Sequence, residues 1–295
     1  MSSSLSDPLA TEDQFSGKLY WLNIPTNYSL DYDQLRTQIQ NRTFYRDLGA
    51  DFDFDEIYVP DIFIQDGEIT KSIDIQDVEL FRDRDESVLF GAVVLDEPYT
   101  INYRGNEVLI LGTSEANFII FQYNGRHYIE FLCAREVAEA VASVFKDEFD
   151  EVGSAVKGTH LTQNGIESLR RDLNAELMDT EFTDYPEPEL ASIRMRGLGF
   201  EEADEYDRQS SRGQIRNHMM RTNDWVVGEE KVLSVSRDGL IRSYSKVTLS
   251  HYLELLKSYV IPNIQREHDS SVLSVWTEES VYQERSTEQG PQSSG

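Results

Sequence analysis

A chain of 295 residues with 39% hydrophobic and 11% aromatic side chains can bury one large core or two ordinary ones, which excludes an intrinsically disordered protein. Acids outnumber bases 54 to 27, a formal charge of -27. They are dispersed, 29 in residues 1–150 and 25 after it, which excludes an acidic tail and argues against a nucleic-acid mimic with its carboxylates on one face.

Residues 1–16 are small and polar and are expected to form a disordered tail, without the basic and apolar regions of a signal peptide. In SLDYDQLRTQIQNRTFYRDLG, Leu35 and Ile39 fall one turn apart and Gly49 offers a stop, so a helix is expected over 31–48. DFDFDEIYVP then sets Asp51, Asp53 and Asp55 on one face of an extended segment, where three oxygen ligands suit Mg²⁺ or Ca²⁺. The sixth and twelfth positions of that run, Glu56 and Ile62, are wrong for a calcium-binding loop, and the run reads as a solvated face with no metal assigned.

Hairpin turns are expected at Asp66-Gly67, around Gly105-Asn106 and at Asn124-Gly125, where glycine or asparagine accepts the positive φ of a tight turn. His127, just past the third turn, would lie opposite Gln122 and reads as a hydrogen-bonded structural histidine. Cys133 is the only cysteine, so no intrachain disulfide forms, and it reads as a buried thiol rather than a nucleophile. A helix follows in AREVAEAVASVFKDEF, with Val137, Val141, Val144 and Phe145 on one face. The polar KDEFDEVGSAVKG marks a domain boundary near 153. It is no phosphate loop, because Lys-Gly-Thr stands where Gly-Lys-Thr is needed.

Beyond the boundary, Thr162 caps a helix that aligns Ile166, Leu169, Leu173 and Leu177. Arg194 and Arg196 alternate in ASIRMRG and would face one way from a strand. After the acidic EEADEYD comes an acid-free run of sixteen residues, 208–223, holding Arg208, Arg212, Arg216, His218 and Arg221. Arg208, Arg212 and Arg216 recur every fourth residue and would line one face of a helix, which Gly213 weakens. A further hairpin is expected at Asp238-Gly239, followed by a helix aligning Leu249, Tyr252, Leu253, Leu256 and Val260 and limited by Pro262. The last segment, SSVLSVWTEESVYQ, would return as an edge strand or serve as a docking peptide over 270–282.

The expected fold class is α+β, two lobes of antiparallel hairpin-rich sheet with amphipathic helices on one face of each. Residues 17–152 and 153–268 form the lobes, and 269–295 a mostly flexible tail. No catalytic constellation, ligand-spaced histidine pair, cofactor fingerprint or membrane-length apolar run is present in the sequence. The chain therefore reads as a non-enzymatic binding or regulatory protein of the cytoplasm. Its 20 arginines against 7 lysines and its dispersed acids point to a halophilic microbe.

The arginines are the candidate nucleic-acid contacts: Arg208, Arg212 and Arg216 at the centre, Arg194, Arg196 and Arg221 outside, with Trp225 and Tyr244 near enough in sequence to stack on bases. The competing reading is internal pairing, above all with EEADEYD. Guanidinium groups held by the protein's own carboxylates would end the nucleic-acid reading. Two alternatives stand beside it: a metal-dependent hydrolase or nuclease using the DFDFDE carboxylates, and a protein–protein assembly factor.

Overall fold

A computed structural model describes residues 9–24, 30–48, 57–65, 68–84, 86–149, 156–187 and 190–264. The chain is broadly α+β and mostly antiparallel sheet, and contacts divide it into two compact units. One is Phe15–Thr159; the other joins the segment up to Gln14 with the chain from His160 onward. The first unit is thus inserted into the second. No helix among the described residues is long and apolar enough to cross a membrane.

Ahead of the inserted unit, β1 (Glu12–Asp13) pairs antiparallel with β16 (Val247–Thr248), so part of the expected tail is structured. Backbone pairing needs no apolar side chain, which is why composition did not show it.

The inserted unit contains β2 (Ser16–Leu22), α1 (Tyr32–Ile39), β3 (Arg42–Asp47), β4 (Ile57–Tyr58), β5 (Ile64–Gln65) and β6 (Glu68–Asp83). It continues through β7 (Glu86–Tyr103), β8 (Asn106–Tyr123), β9 (Arg126–Leu132), α2 (Arg135–Glu148) and β10 (Val156–Gly158). The strand order is β10-β2-β9-β8-β7-β6-β3, all antiparallel, with β4 parallel beside β8 and β5 beside β6. Because β10 pairs with β2, the unit boundary falls at Thr159 rather than near 153.

Three hairpins connect β6 through β9. Asn124 and Gly125 turn at φ 49° and 74°, as the local sequence predicts, whereas the turn expected around Gly105-Asn106 falls one residue earlier, at Arg104 and Gly105 (53° and 88°). Arg84 (φ 48°) turns β6 into β7 without a glycine. The helix expected over 31–48 stops at Ile39, because Asn41 turns left-handed and Phe44 is buried between exposed Thr43 and Tyr45. That two-residue period belongs to a strand. Asp31 caps α1 by accepting from the backbone N–H groups of Asp33 and Gln34.

The core of this unit lies between the sheet and α1 and α2. Leu35 and Ile39 of α1, and Val141 and Phe145 of α2, meet Ile75, Val93, Phe118, Ile120 and Phe131 of the strands. Phe145 sets its ring edge-on to Phe118 at 5.3 Å and to Phe131 at 5.4 Å.

The other unit contains α3 (Gln163–Asp172), β11 (Glu176–Thr183), β12 (Ser192–Arg196), α4 (Asp204–Arg212) and β13 (Gln214–Val226). It closes with β14 (Glu229–Ser236), β15 (Leu240–Ser243), β16 and α5 (Leu249–Leu255). The strands run β12-β11-β13-β14-β15, every pair antiparallel. Thr162 caps α3 as expected, but Asn174 (φ 45°) ends the helical run and delivers Leu177 to β11. Past α5 the backbone widens into a π-turn over Leu256–Val260 and stays helical through 261–264. Pro262 therefore loosens this helix rather than stopping it, since its ring cannot sit beneath a normal turn and it donates no hydrogen bond.

Candidate functional site

The acid-free stretch is two elements, not one helix. α4 ends at Arg212, and Gly213 adopts an extended conformation (φ -114°, ψ 176°). A Cβ at Gly213 would stand 2.8 Å from the Tyr185 ring and 3.0 Å from the Thr183 carbonyl oxygen, so the chain crosses here where only glycine fits. Tyr185 is held by donating its hydroxyl to Gln209 Oε1 at 2.9 Å. Arg208 and Arg212 therefore belong to α4, while Arg216, His218 and Arg221 belong to β13. The expected helical stripe through Arg216 does not form.

Every one of the six candidate arginines meets a carboxylate of the chain. Arg208 pairs with Glu205 one turn back on α4, and Arg212 with Glu187. Arg216 reaches Glu181 at 3.3 Å across the β11–β13 pairing, and Arg221 pairs with Glu176 and, at 3.3 Å, with Glu230. Arg194 and Arg196 do face one way from β12, as the alternation predicts. Both pair with Asp179: Arg194 Nε donates to it at 2.7 Å, and Arg196 Nε lies 2.8 Å from its Oδ2. The Asp179 side chain is only 8% exposed, so the two guanidinium groups neutralise a nearly buried charge. Internal pairing holds, yet EEADEYD supplies only Glu205 to this set. The other partners come from β11, β14 and the loop after β11, where strand pairing rather than sequence proximity places them.

On the inward side, β13 carries His218, Met220 and Thr222, all buried. His218 is fully buried and joins three other elements. Its Nε2 lies 3.3 Å from Glu167 Oε1 on α3, and its Nδ1 3.0 Å from Thr180 Oγ1 on β11. An N–H at Nε2 donating to Glu167 leaves Nδ1 to accept from the Thr180 hydroxyl. Tyr206 of α4 donates its hydroxyl to Glu167 Oε1 and lies 3.2 Å from His218 Nε2. Arg170 Nε donates to Glu167 Oε2 at 3.1 Å.

Burial opposes the Glu167 charge, but the hydrogen bonds from His218 and Tyr206 outweigh it and hold the carboxyl at about 2. Burial, reinforced by the hydrogen bond to Glu167, pushes the Tyr206 phenol above its ordinary range. The order Thr180–His218–Glu167 imitates a nucleophile, base and acid. Thr180 and His218 have no exposed surface, however, so a substrate has no access and the cluster works as a tether between α3, α4, β11 and β13.

The remaining candidates resolve individually. Trp225 is buried and donates its indole N–H to the His251 carbonyl at 2.8 Å, so it offers no stacking face, while Tyr244 stays 40% exposed beneath Arg242. His127 does lie opposite Gln122, buried, with Nδ1 3.1 Å from the Tyr32 hydroxyl. Burial and the neighbouring Glu130 push the Cys133 thiol up to about 12, which removes it as a nucleophile at neutral pH. Asp51, Asp53, Asp55 and residues 270–282 lie outside the described residues. Among the described residues no group of three or more His, Cys, Asp or Glu is placed to hold a metal ion. Compared with known proteins, the chain matches no protein-family model and has no significant match among curated proteins.

Proposed function

We propose that this chain is a non-enzymatic binding or regulatory protein of a halophilic cytoplasm that meets other proteins, as an assembly factor, rather than nucleic acid. The observation that carries this reading is the carboxylate set against each of Arg194, Arg196, Arg208, Arg212, Arg216 and Arg221. A phosphate backbone would have to displace those carboxylates one by one, in salt that already weakens counterion release. The dispersed acids and the preference for arginine support the halophilic habitat. In this reading the two units serve as two α+β lobes, with residues 270–282 as an added docking peptide. The hydrolase reading rests on Asp51, Asp53 and Asp55 and has no observation from the described residues in its favour.

The test is a fluorescence-anisotropy titration of labelled single- and double-stranded DNA and RNA in molar KCl. No saturable binding is expected, and reversing Arg208, Arg212 and Arg216 to glutamate should leave the traces unchanged. Saturable binding abolished by that triple reversal would overturn the proposal and restore a nucleic-acid surface.

A further inference from the structure

The sheet of the inserted unit has a second face, turned away from α1 and α2. Phe44, Ile73 and Leu95 enter the core on the helix side, so their neighbours along β3, β6 and β7 point the other way. There Thr43, Tyr45, Ser72, Asp74 and Asp96 line a cavity of about 530 Å³. Leu111 of β8, Phe63 of the short turn Asp61–Phe63 and Ile64 of β5 add an apolar wall.

The polar floor of this cavity is one-sided. Thr43 donates its hydroxyl to Asp74 Oδ1 at 2.5 Å. Ser72 donates its backbone N–H at 2.7 Å and its hydroxyl at 2.6 Å to Asp96 Oδ2. With their protons committed, both hydroxyl oxygens turn only lone pairs to a visitor. The second oxygens, Asp74 Oδ2 and Asp96 Oδ1, have no hydrogen-bond partner among the described residues, and neither aspartate has an ion pair there. Strand register explains why no base answers them. From the row of Thr43, Asp74, Val94 and Glu115 to the row of Asp47, Thr70, Pro98 and Leu111, this face carries four carboxylates and no lysine or arginine. The nearby bases Arg46 and Lys71 stand opposite each other on the helix side, where Arg46 meets Asp147 and Glu148 of α2.

We propose that this cavity binds a small aliphatic ammonium ion, with Asp74 and Asp96 accepting from its N–H groups and Tyr45 and Phe63 packing against its methylenes. The donor inventory selects that class. A floor of acceptors repels an anion, and a sugar would bring an acceptor oxygen with every hydroxyl donor. An alkylammonium brings three donors and no acceptor. An aromatic wall suits it as well, because ring faces attract cations and the rest of the ligand is apolar. Asp74 stands opposite Val94, and Asp96 lies two residues further along β7, so the two are diagonal neighbours about 7–8 Å apart. A four-carbon diamine is long enough to set one nitrogen at each. The proposal is independent of the assembly reading and of the arginine pairs that carry it.

Isothermal titration calorimetry of 1,4-diaminobutane into the full chain, in molar KCl to screen diffuse attraction to an acidic surface, should show one saturable site per chain. Asp74→Asn and Asp96→Asn, which keep the side-chain shape and an acceptor for Thr43 or Ser72, should each weaken binding about tenfold or more. Tyr45→Ala should weaken it about threefold, and Tyr45→Phe should leave it unchanged. Far-ultraviolet circular dichroism of each variant separates a lost site from a lost fold. Uncharged 1,4-butanediol, of the same length, should not bind. Absence of a saturable site, binding that survives both asparagine substitutions, or butanediol binding as tight as the diamine would overturn the proposal. None of these outcomes touches the nucleic-acid titration, so the two proposals fail separately.

Discussion

Replacing Phe145 with alanine is expected to lower stability by about 3–5 kcal/mol, the range for removing a fully buried phenylalanine. Phe145 has no exposed surface, and its ring centroid lies 5.3 Å from Phe118, 5.4 Å from Phe131 and 5.0 Å from Phe149. The cost should sit at the upper end because the hole cannot collapse. Phe118 and Phe131 stand on strands paired on both sides, and the neighbouring inward residues of α2, Ala138 and Ala142, are too short to fill it. Urea unfolding of the full chain, followed by far-ultraviolet circular dichroism and tryptophan fluorescence, measures this loss. Phe145→Leu should recover more than half of it. A loss below about 1 kcal/mol would show that this ring is not central to the core.

Glu167→Gln is expected to cost about 2 kcal/mol at neutral pH, and the deficit should fade as the solution is acidified. The folded chain holds Glu167 at about 2 instead of the ordinary 4.5, so its charge stabilises the fold above pH 4.5. That contribution is lost as pH falls from 4.5 toward 2, where the folded-state carboxyl also takes up its proton. Each tenfold change in proton affinity is worth about 1.4 kcal/mol, which sets an upper bound of about 3.5 kcal/mol. The expected cost is smaller because water still reaches part of the side chain. Unfolding curves at pH 7, 4 and 3 should therefore converge for the two proteins. A gap that stayed constant across those pH values would mean that packing, not the charge, is what the carboxylate contributes. His218→Ala should also destabilise at neutral pH, because it leaves Thr180 and Glu167 without their shared partner.

The local turns were legible because their chemistry is local. Asn124-Gly125 and Asp238-Gly239 announce tight turns by residue type, with positive φ at Asn124, Gly125 and Gly239, and both close hairpins. Arg84 makes an equivalent turn and gives no sign of it, since arginine is not selected for that conformation. The helices overran for a related reason. Ile215 and Met219 are four apart, a spacing that suits a helix, and the alternation that reveals β13 passes through His218, Met220 and Thr222, only one of them an ordinary core residue.

The arginine partners could be foreseen in kind but not by name. Glu181 lies 35 residues from Arg216 and Glu176 lies 45 from Arg221, and only strand register brings them together. The tether around His218 was hidden in the same way, with Thr180 38 residues away and Glu167 51. No short window of sequence contains such a cluster.

The pairing of β1 with β16 also bears on how the chain is made. Glu12 and Asp13 leave the ribosome well before Val247 and Thr248, which follow more than two hundred residues later. At about 5–20 residues per second the amino-terminal strand waits roughly 10–50 s for its mate. The inserted unit, complete at Thr159, has time to fold during that interval. The outer unit can complete its own pairing only after that interval, so the order of synthesis becomes the order of folding.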